Sequence, residues 1–133
     1  MEVTTAFADP NLEETGAWAE YREGSKIKVA RIGNMKFQRA LASQSRKNKA
    51  NTDPERETKI LCEAIAETVL LDWDGFTRNG AALPYSKDEA ANLLFASMDF
   101  RNEVVEIATD METFRNKRVS ESSKNSKSGS STS

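Results

Sequence analysis

The pattern of apolar and polar residues first becomes regular near Trp18. From Trp18 to Arg31 the side chains alternate in character, and Glu23-Gly24-Ser25 interrupts the alternation. Alternation is typical of half-buried strands, and glycine among polar neighbours favours a turn. We therefore predict a two-stranded β-hairpin here. Because an isolated hairpin is only marginally stable in water, its apolar side has to pack on the helices or on another chain.

Two helices are predicted after the hairpin. Asn34 is a suitable N-cap for a helix whose apolar residues extend to Leu41, and the polar run at 43–52 predicts an exposed connection. Asp53 and Pro54 then favour the start of a second helix. Its apolar positions follow helical spacing and broaden at the end: Ile60, Leu61, Ala64, Ile65, Thr68, Val69, Leu70 and Leu71. We expect this to be the main core helix, with its end deeply buried.

The second half of the chain predicts a small hairpin and two more helices. Asn79-Gly80 favours a two-residue turn, because both residues tolerate positive φ. Ser86 and Glu89 have the spacing of a capping box, which predicts a helix from Lys87 to about Phe95. The last helix has one apolar stripe, stepping by four, three, four and three: Phe100, Val104, Ile107, Met111 and Phe114.

Both ends of the chain lack such periodicity. Residues 1–16 contain Pro10 and Gly16 and are predicted to be a flexible lead that docks through Phe7 or Leu12. From Ser120 onward the chain is rich in serine and contains no large apolar residue, so residues 119–133 are predicted to be a disordered tail. The expected fold is therefore mainly α: a small domain at 17–118 of about four helices with an N-terminal β-hairpin, followed by a disordered tail.

The composition argues against an enzyme. The chain has no histidine and one cysteine, so the commonest general base and the commonest zinc ligand are both missing. Its six glycines form no phosphate-binding loop. The carboxylate pairs Asp72/Asp74 and Asp88/Glu89 are interpreted as turn and cap residues, and Cys62 as a small buried apolar residue rather than a reactive thiol. We predict no catalytic residue, no cofactor and no metal.

Charge and hydropathy limit where the protein acts. The net charge of −2 argues against a general polyanion binder, so nucleic acid is not the expected partner. No segment approaches the ~20 apolar residues of a membrane span, and the acidic N-terminus is unlike a secretion signal. With a single cysteine, a reducing cytoplasm is the expected location.

The residues proposed to bind a partner lie on the last helix and at one turn. They are Met98, Phe100, Val104, Met111, Phe114 and Trp73. Methionine and phenylalanine on one helical face are suited to pliable contacts with partner helices. The residues themselves favour the core alternative, in which the stripe packs inward and Trp73 closes the core with Tyr85 or Phe76.

A basic segment supports a different class of function. Arg46, Lys47 and Lys49 form the densest cluster of positive charge, and together with Arg39 and Lys36 upstream they would suit phosphates or an acidic partner surface. This predicts, as the alternative, a small DNA-associated or regulatory adaptor using 39–49. No aromatic side chains are interleaved for base stacking, so an exposed linker is the favoured interpretation.

Several pieces of the chain, taken in order, resemble a known family. They are Trp18, Tyr21, Gly24, Ile32-Gly33-Asn34, Phe37, the segment AIAETVLLDWDGF at 64–76, Pro84-Tyr85-Ser86 and Phe114. As an ordered set they are similar to the tail assembly chaperones of long-tailed bacteriophages. The resemblance covers about three quarters of the chain, and the Ser/Lys-rich end is also similar.

The resemblance implies a role in assembly. Members of that family bind the long helical tape measure protein, keep it soluble and promote assembly of the tail tube around it. Many also have a longer form, made by a programmed ribosomal frameshift, that engages the tail tube protein. This chain resembles the short, unshifted form. The resemblance also implies that the protein works in the host cell cytoplasm and is absent from the mature virion. Self-association is left open.

Overall fold

The computed structural model describes residues 10–115. Its elements, in chain order, are α1 (Pro10–Thr15), β1 (Ala17–Glu20), β2 (Lys26–Val29), α2 (Met35–Lys47), α3 (Arg56–Thr68), β3 (Leu70–Asp74), β4 (Thr77–Arg78), β5 (Ala81–Ala82), α4 (Lys87–Ala96), α5 (Met98–Thr109) and a 3-10 helix (Met111–Phe114).

The main sheet is antiparallel, with the order β1-β2-β3. Ile27 on the central strand lies opposite Ala19 on one side and Trp73 on the other. Because successive side chains point to opposite faces, these residues share the inner face, which the helices cover. On the outer face, oppositely charged residues lie next to each other on neighbouring strands. Lys26 on β2, for example, lies between Glu20 on β1 and Asp74 on β3. Such pairs add modestly to sheet stability.

The fold is mixed α/β, so the prediction of a mainly α domain is wrong. Within residues 10–115 there are five α-helices, but also a three-stranded sheet and the two-stranded β4-β5 sheet. The difference lies at Leu70–Asp74, where the apolar run predicts the end of the core helix and a following turn, whereas α3 ends at Thr68 and β3 begins at Leu70. A continuous apolar run suits a buried helix or a buried strand equally well. Pairing with β2 decides the outcome here.

The predicted N-terminal hairpin is confirmed. β1 and β2 pair across a turn in which Glu23 and Gly24 both have positive φ. The hairpin finds the packing that it needs, because Ile27 and Val29 are fully buried in the domain core.

Helix boundaries differ from the predictions in three places. α2 continues to Lys47 through part of the supposed connection, because that stretch has no helix breaker and its basic last turn suits the negative helix end. α3 begins at Arg56, and Asp53 instead binds the Glu55 amide and Lys59. The final stripe is broken, since α5 ends at Thr109 and Asp110 caps a separate 3-10 helix.

The predicted caps are largely confirmed. The Asn34 side chain accepts a hydrogen bond from the Phe37 amide at 2.8 Å. Ser86 Oγ accepts from the Glu89 amide at 3.1 Å, but the Glu89 carboxylate does not complete a capping box. It binds the Arg78 guanidinium at 2.6 Å instead, because the small β4-β5 hairpin brings Arg78 to the start of α4.

The N-terminal lead contains a short docked helix rather than being flexible throughout. The Arg31 amide donates to the Glu13 carbonyl at 2.8 Å, and the Arg31 guanidinium binds the Glu13 carboxylate at 3.0 Å. Leu12 packs against the core, as predicted. The remainder of the lead, including Phe7, and the serine-rich tail at 119–133 lie outside the described residues.

Candidate partner-binding surfaces

The structure divides the six predicted contact residues between core and surface. Phe100, Val104, Phe114 and Trp73 are buried, with exposed fractions between 0 and 7%. Met98 is 63% exposed. Met111 begins the 3-10 helix, and its side chain is outside the described part. The stripe is therefore the face of α5 that packs inward, as the core alternative held, and Met98 is the described member that a partner can reach.

Trp73 closes the core at the end of the sheet, as the core interpretation predicted. Its ring stacks on Phe76, with centroids 4.7 Å apart, and meets Tyr85 edge-on at 5.0 Å. The indole Nε1–H donates to the Leu83 carbonyl at 2.8 Å. This hydrogen bond holds the chain after β5 against β3.

Tyr85 fixes the same chain segment through contacts of its own. Its hydroxyl lies 2.6 Å from the Leu70 carbonyl and 3.3 Å from the Ala66 carbonyl, so it is held at the junction of α3 and β3. The Trp-Asp-Gly and Pro-Tyr-Ser motifs thus hold each other, and we call Trp73 and Tyr85 the aromatic latch. The Trp73 indole N–H binds the carbonyl of Leu83, just before Pro84, and the Tyr85 hydroxyl binds the carbonyl of Leu70, at the start of β3. Their role is to hold the fold.

A polar joint ties the N-terminal hairpin to α5. The Tyr21 hydroxyl donates to Glu103 Oε1 at 2.6 Å, and Arg22 forms an ion pair with the same carboxylate. The hydrogen bonds from Tyr21 and Arg22 hold the pKa of Glu103 below its usual range. Burial, with the Glu103 hydrogen bond and charge, raises the pKa of Tyr21 to about 12.

Both tyrosines of the chain are expected to resist ionisation while it is folded. Burial also raises the pKa of Tyr85 to about 12. An unfolded tyrosine ionises near pH 10. The two residues therefore contribute stability that is fully present below about pH 10 and is lost as the pH rises through about 12. Ultraviolet absorbance of tyrosinate should show ionisation near pH 10 in urea and well above it in buffer.

The Glu103→Gln variant tests the polar joint within the same titration. It should lower the pKa of Tyr21 towards 10, because it removes the neighbouring negative charge, and leave that of Tyr85 unchanged. Tyr85 thus serves as the internal control. Two unchanged tyrosine pKa values in Glu103→Gln would contradict the joint.

Large apolar side chains are exposed at three places in the described part of the chain. Trp18 is 39% exposed, and Met35 and Met98 are each 63% exposed. Trp18 lies on the outer face of the edge strand β1, with Lys26 Nζ 5.5 Å from its ring centroid. The sequence pattern predicts a strand at Trp18 and a helix after Asn34, without predicting exposure at either place. Each methionine follows its helix's capping residue directly, which is a signal of exposure that the sequence contained.

The two exposed methionines lie near opposite ends of α5. Met98 is the first residue of that helix, whereas the Ile32 amide donates to the carbonyl of Ala108 close to its last residue. Met35 follows Ile32 by three residues. Met98 and Ala108 are separated by about 15 Å along the helix axis. They therefore present two separate apolar contacts.

The predicted basic segment at 39–49 is divided by the structure. Arg39 and Arg46 line an open groove between α2 and α3, while Lys47 and Lys49 are not among the residues that line it. Lys36, which lies upstream of that segment on α2, and Lys87 at the start of α4, which the sequence did not connect with it, complete the basic lining. The 3, 4, 3 spacing of Lys36, Arg39, Ser43 and Arg46 would have revealed the helical part of this face.

Cys62 packs inside the domain, as predicted. Its side chain is buried among α3, α4 and α5, and burial raises the pKa of its thiol. In residues 10–115, no group of three or more acidic, cysteine or histidine side chains is placed to hold a metal ion. No helix in that part of the chain is long and apolar enough to span a membrane.

These features define a small mixed α/β domain, built on a three-stranded antiparallel sheet and held by an aromatic latch. A family model described as YdaY prophage protein matches residues 25–125. The chain belongs to this family and is a phage-derived protein. Searches of curated proteins and of solved structures gave no match.

Proposed function

We propose that this protein is a phage tail assembly chaperone that binds and solubilises the tape measure protein and so promotes assembly of the tail tube. Two observations support the proposal. The chain belongs to a prophage protein family, which supports a phage-related role. The ordered set of residues from Trp18 to Phe114 resembles tail assembly chaperones.

The observation that carries the proposal is what the resembling residues do in the structure. Trp73 and Tyr85 form the latch, Asn34 caps α2, and Tyr21 joins the hairpin to α5. Residues that hold a fold together are those that two proteins share when they have the same architecture. The resemblance thus rests on residues that support the fold, and this supports the proposed function.

The proposed mechanism is noncovalent covering of the client. A long helical protein with exposed apolar faces aggregates unless other surfaces cover those faces. Small domains bound along it supply such cover without catalysis or a cofactor, and binding in turn stabilises each domain. Met98 is the proposed client contact, because its flexible thioether is exposed at the start of α5 and adapts to different apolar partners. A frameshifted longer form, where it is made, would add the contact to the tube protein.

Co-expression tests this function. The tape measure protein encoded in the same prophage is expressed alone, with this chain, and with an unrelated acidic protein of similar size. We expect the client to become soluble only with this chain and to elute with it from a size-exclusion column. A client that remains insoluble in all three cultures would contradict the proposal.

A further inference from the structure

A basic groove lies on the side of the domain formed by α2 and α3. Its volume is about 560 Å³. α2 contributes Lys36, Arg39, Ser43 and Arg46 along one edge, and Lys87 at the start of α4 lies at the groove as well. Glu67 is the acidic residue that lines it. The lining thus carries four positive charges against one negative charge.

The arginines of this groove differ from the other arginines of the described chain in lacking a protein partner. Six arginines in residues 10–115 bind a carboxylate or a backbone carbonyl: Arg22, Arg31, Arg56, Arg78, Arg101 and Arg115. Arg39 and Arg46 are the two described arginines for which no ion pair or side-chain hydrogen bond is found within that range, and both line the groove. Their hydrogen-bond donors are therefore available to a ligand.

The donors select a ligand with planar anionic groups. A guanidinium group presents a rigid fork of N–H donors that matches a carboxylate with two parallel hydrogen bonds. Arg39 and Arg46 are seven residues apart on α2, which is about 10.5 Å along the helix axis. Carboxylates seven residues apart on a second helix have the same separation. The groove therefore matches the acidic face of a helix lying along α2.

We propose that this groove binds an acidic helical peptide segment of a partner protein, with Arg39 and Arg46 each engaging one carboxylate. The proposal goes beyond the chaperone function, because it concerns a charged site away from Met98 and holds whatever the partner is. Nucleic acid fits less well. The lining contains no aromatic ring on which a base would stack, and Glu67 would repel a continuous phosphate backbone.

Fluorescence anisotropy tests the site on the full chain. The probe is a labelled synthetic helix with glutamates seven residues apart on one face, and its twin has glutamines at those positions. We expect the glutamate helix to bind and the glutamine twin to bind much more weakly. The double variant Arg39→Gln/Arg46→Gln should weaken binding of the glutamate helix by on the order of tenfold or more, since it removes both charged hydrogen-bond donors.

The matched control is Lys47→Gln/Lys49→Gln, which removes the same amount of positive charge from neighbouring positions that do not line the groove. It should change the affinity by less than about twofold in physiological salt, where exposed charges are screened. All four residues are exposed, so both variants should keep the circular dichroism spectrum of the wild type.

Three results would overturn the proposal. Equal losses in the two double variants would show attraction by net charge alone. Equal binding of the glutamate and glutamine helices would remove the carboxylate from the interaction. Tighter binding of a DNA duplex than of the glutamate helix, lost in Arg39→Gln/Arg46→Gln, would assign the groove to nucleic acid.

Discussion

Trp73→Ala is expected to destabilise the domain by about 3–5 kcal/mol, the usual cost of truncating a large buried aromatic residue. Three losses combine. The stacked contact with Phe76 and the edge contact with Tyr85 disappear, and the Leu83 carbonyl loses the indole donor. The total stability of a small domain is ~5–15 kcal/mol, so the effect should be large in urea unfolding followed by circular dichroism.

The second tryptophan provides the matched control for this substitution. Trp18→Ala removes the same side chain from the outer face of the sheet, where it is 39% exposed and contacts Lys26. The expected loss is about 1 kcal/mol or less, from the cation-π contact and partial burial. Similar losses of unfolding free energy for the two variants would mean that the latch is not the main support of β3.

A carboxylate introduced on α5 is expected to cost much stability at one position and almost none at another. Val104→Asp places a charge at a fully buried site without a partner, and the cost of about 3–5 kcal/mol approaches the stability of the whole domain. Met98→Asp places the same charge at an exposed first position of the helix, where the helix dipole favours it, so the stability should change by about 0.5 kcal/mol or less.

The same pair of variants separates folding from client contact. Circular dichroism and urea unfolding should show Val104→Asp largely unfolded and Met98→Asp folded. In co-expression with the tape measure protein, Met98→Asp should then recover less soluble complex than the wild type, because a charge replaces the apolar contact. Full recovery by folded Met98→Asp would move the client contact elsewhere on the surface.

Local signals predicted the turns and most helix starts well. Asn34, Ser86 and Asn79-Gly80 act through their own backbone and close neighbours, so short segments of sequence contain what determines them. Leu70–Asp74 is different, because its apolar run is compatible with a helix and only pairing with β2 makes it a strand. Fold class therefore depended on a contact across more than forty residues of chain.

The surfaces were harder to predict than the elements. The stripe on α5 has the same spacing whether it faces a core or a partner, so periodicity could not separate Val104 from a contact residue. The basic groove joins Lys36 on α2 to Lys87 on α4, and this depends on how α2, α3 and α4 pack. Exposure of Met98 was similarly decided by the break between α4 and α5 at Ser97.

The most direct measurement of the central claim is a count of tails in an inducible lysogen from which this gene has been removed in frame. After induction, particles are examined by electron microscopy with and without the chain supplied in trans. A tail assembly chaperone predicts capsids without tails in the deletion and restored tails on complementation. Normal numbers of full-length tails in the deletion would contradict the proposed function.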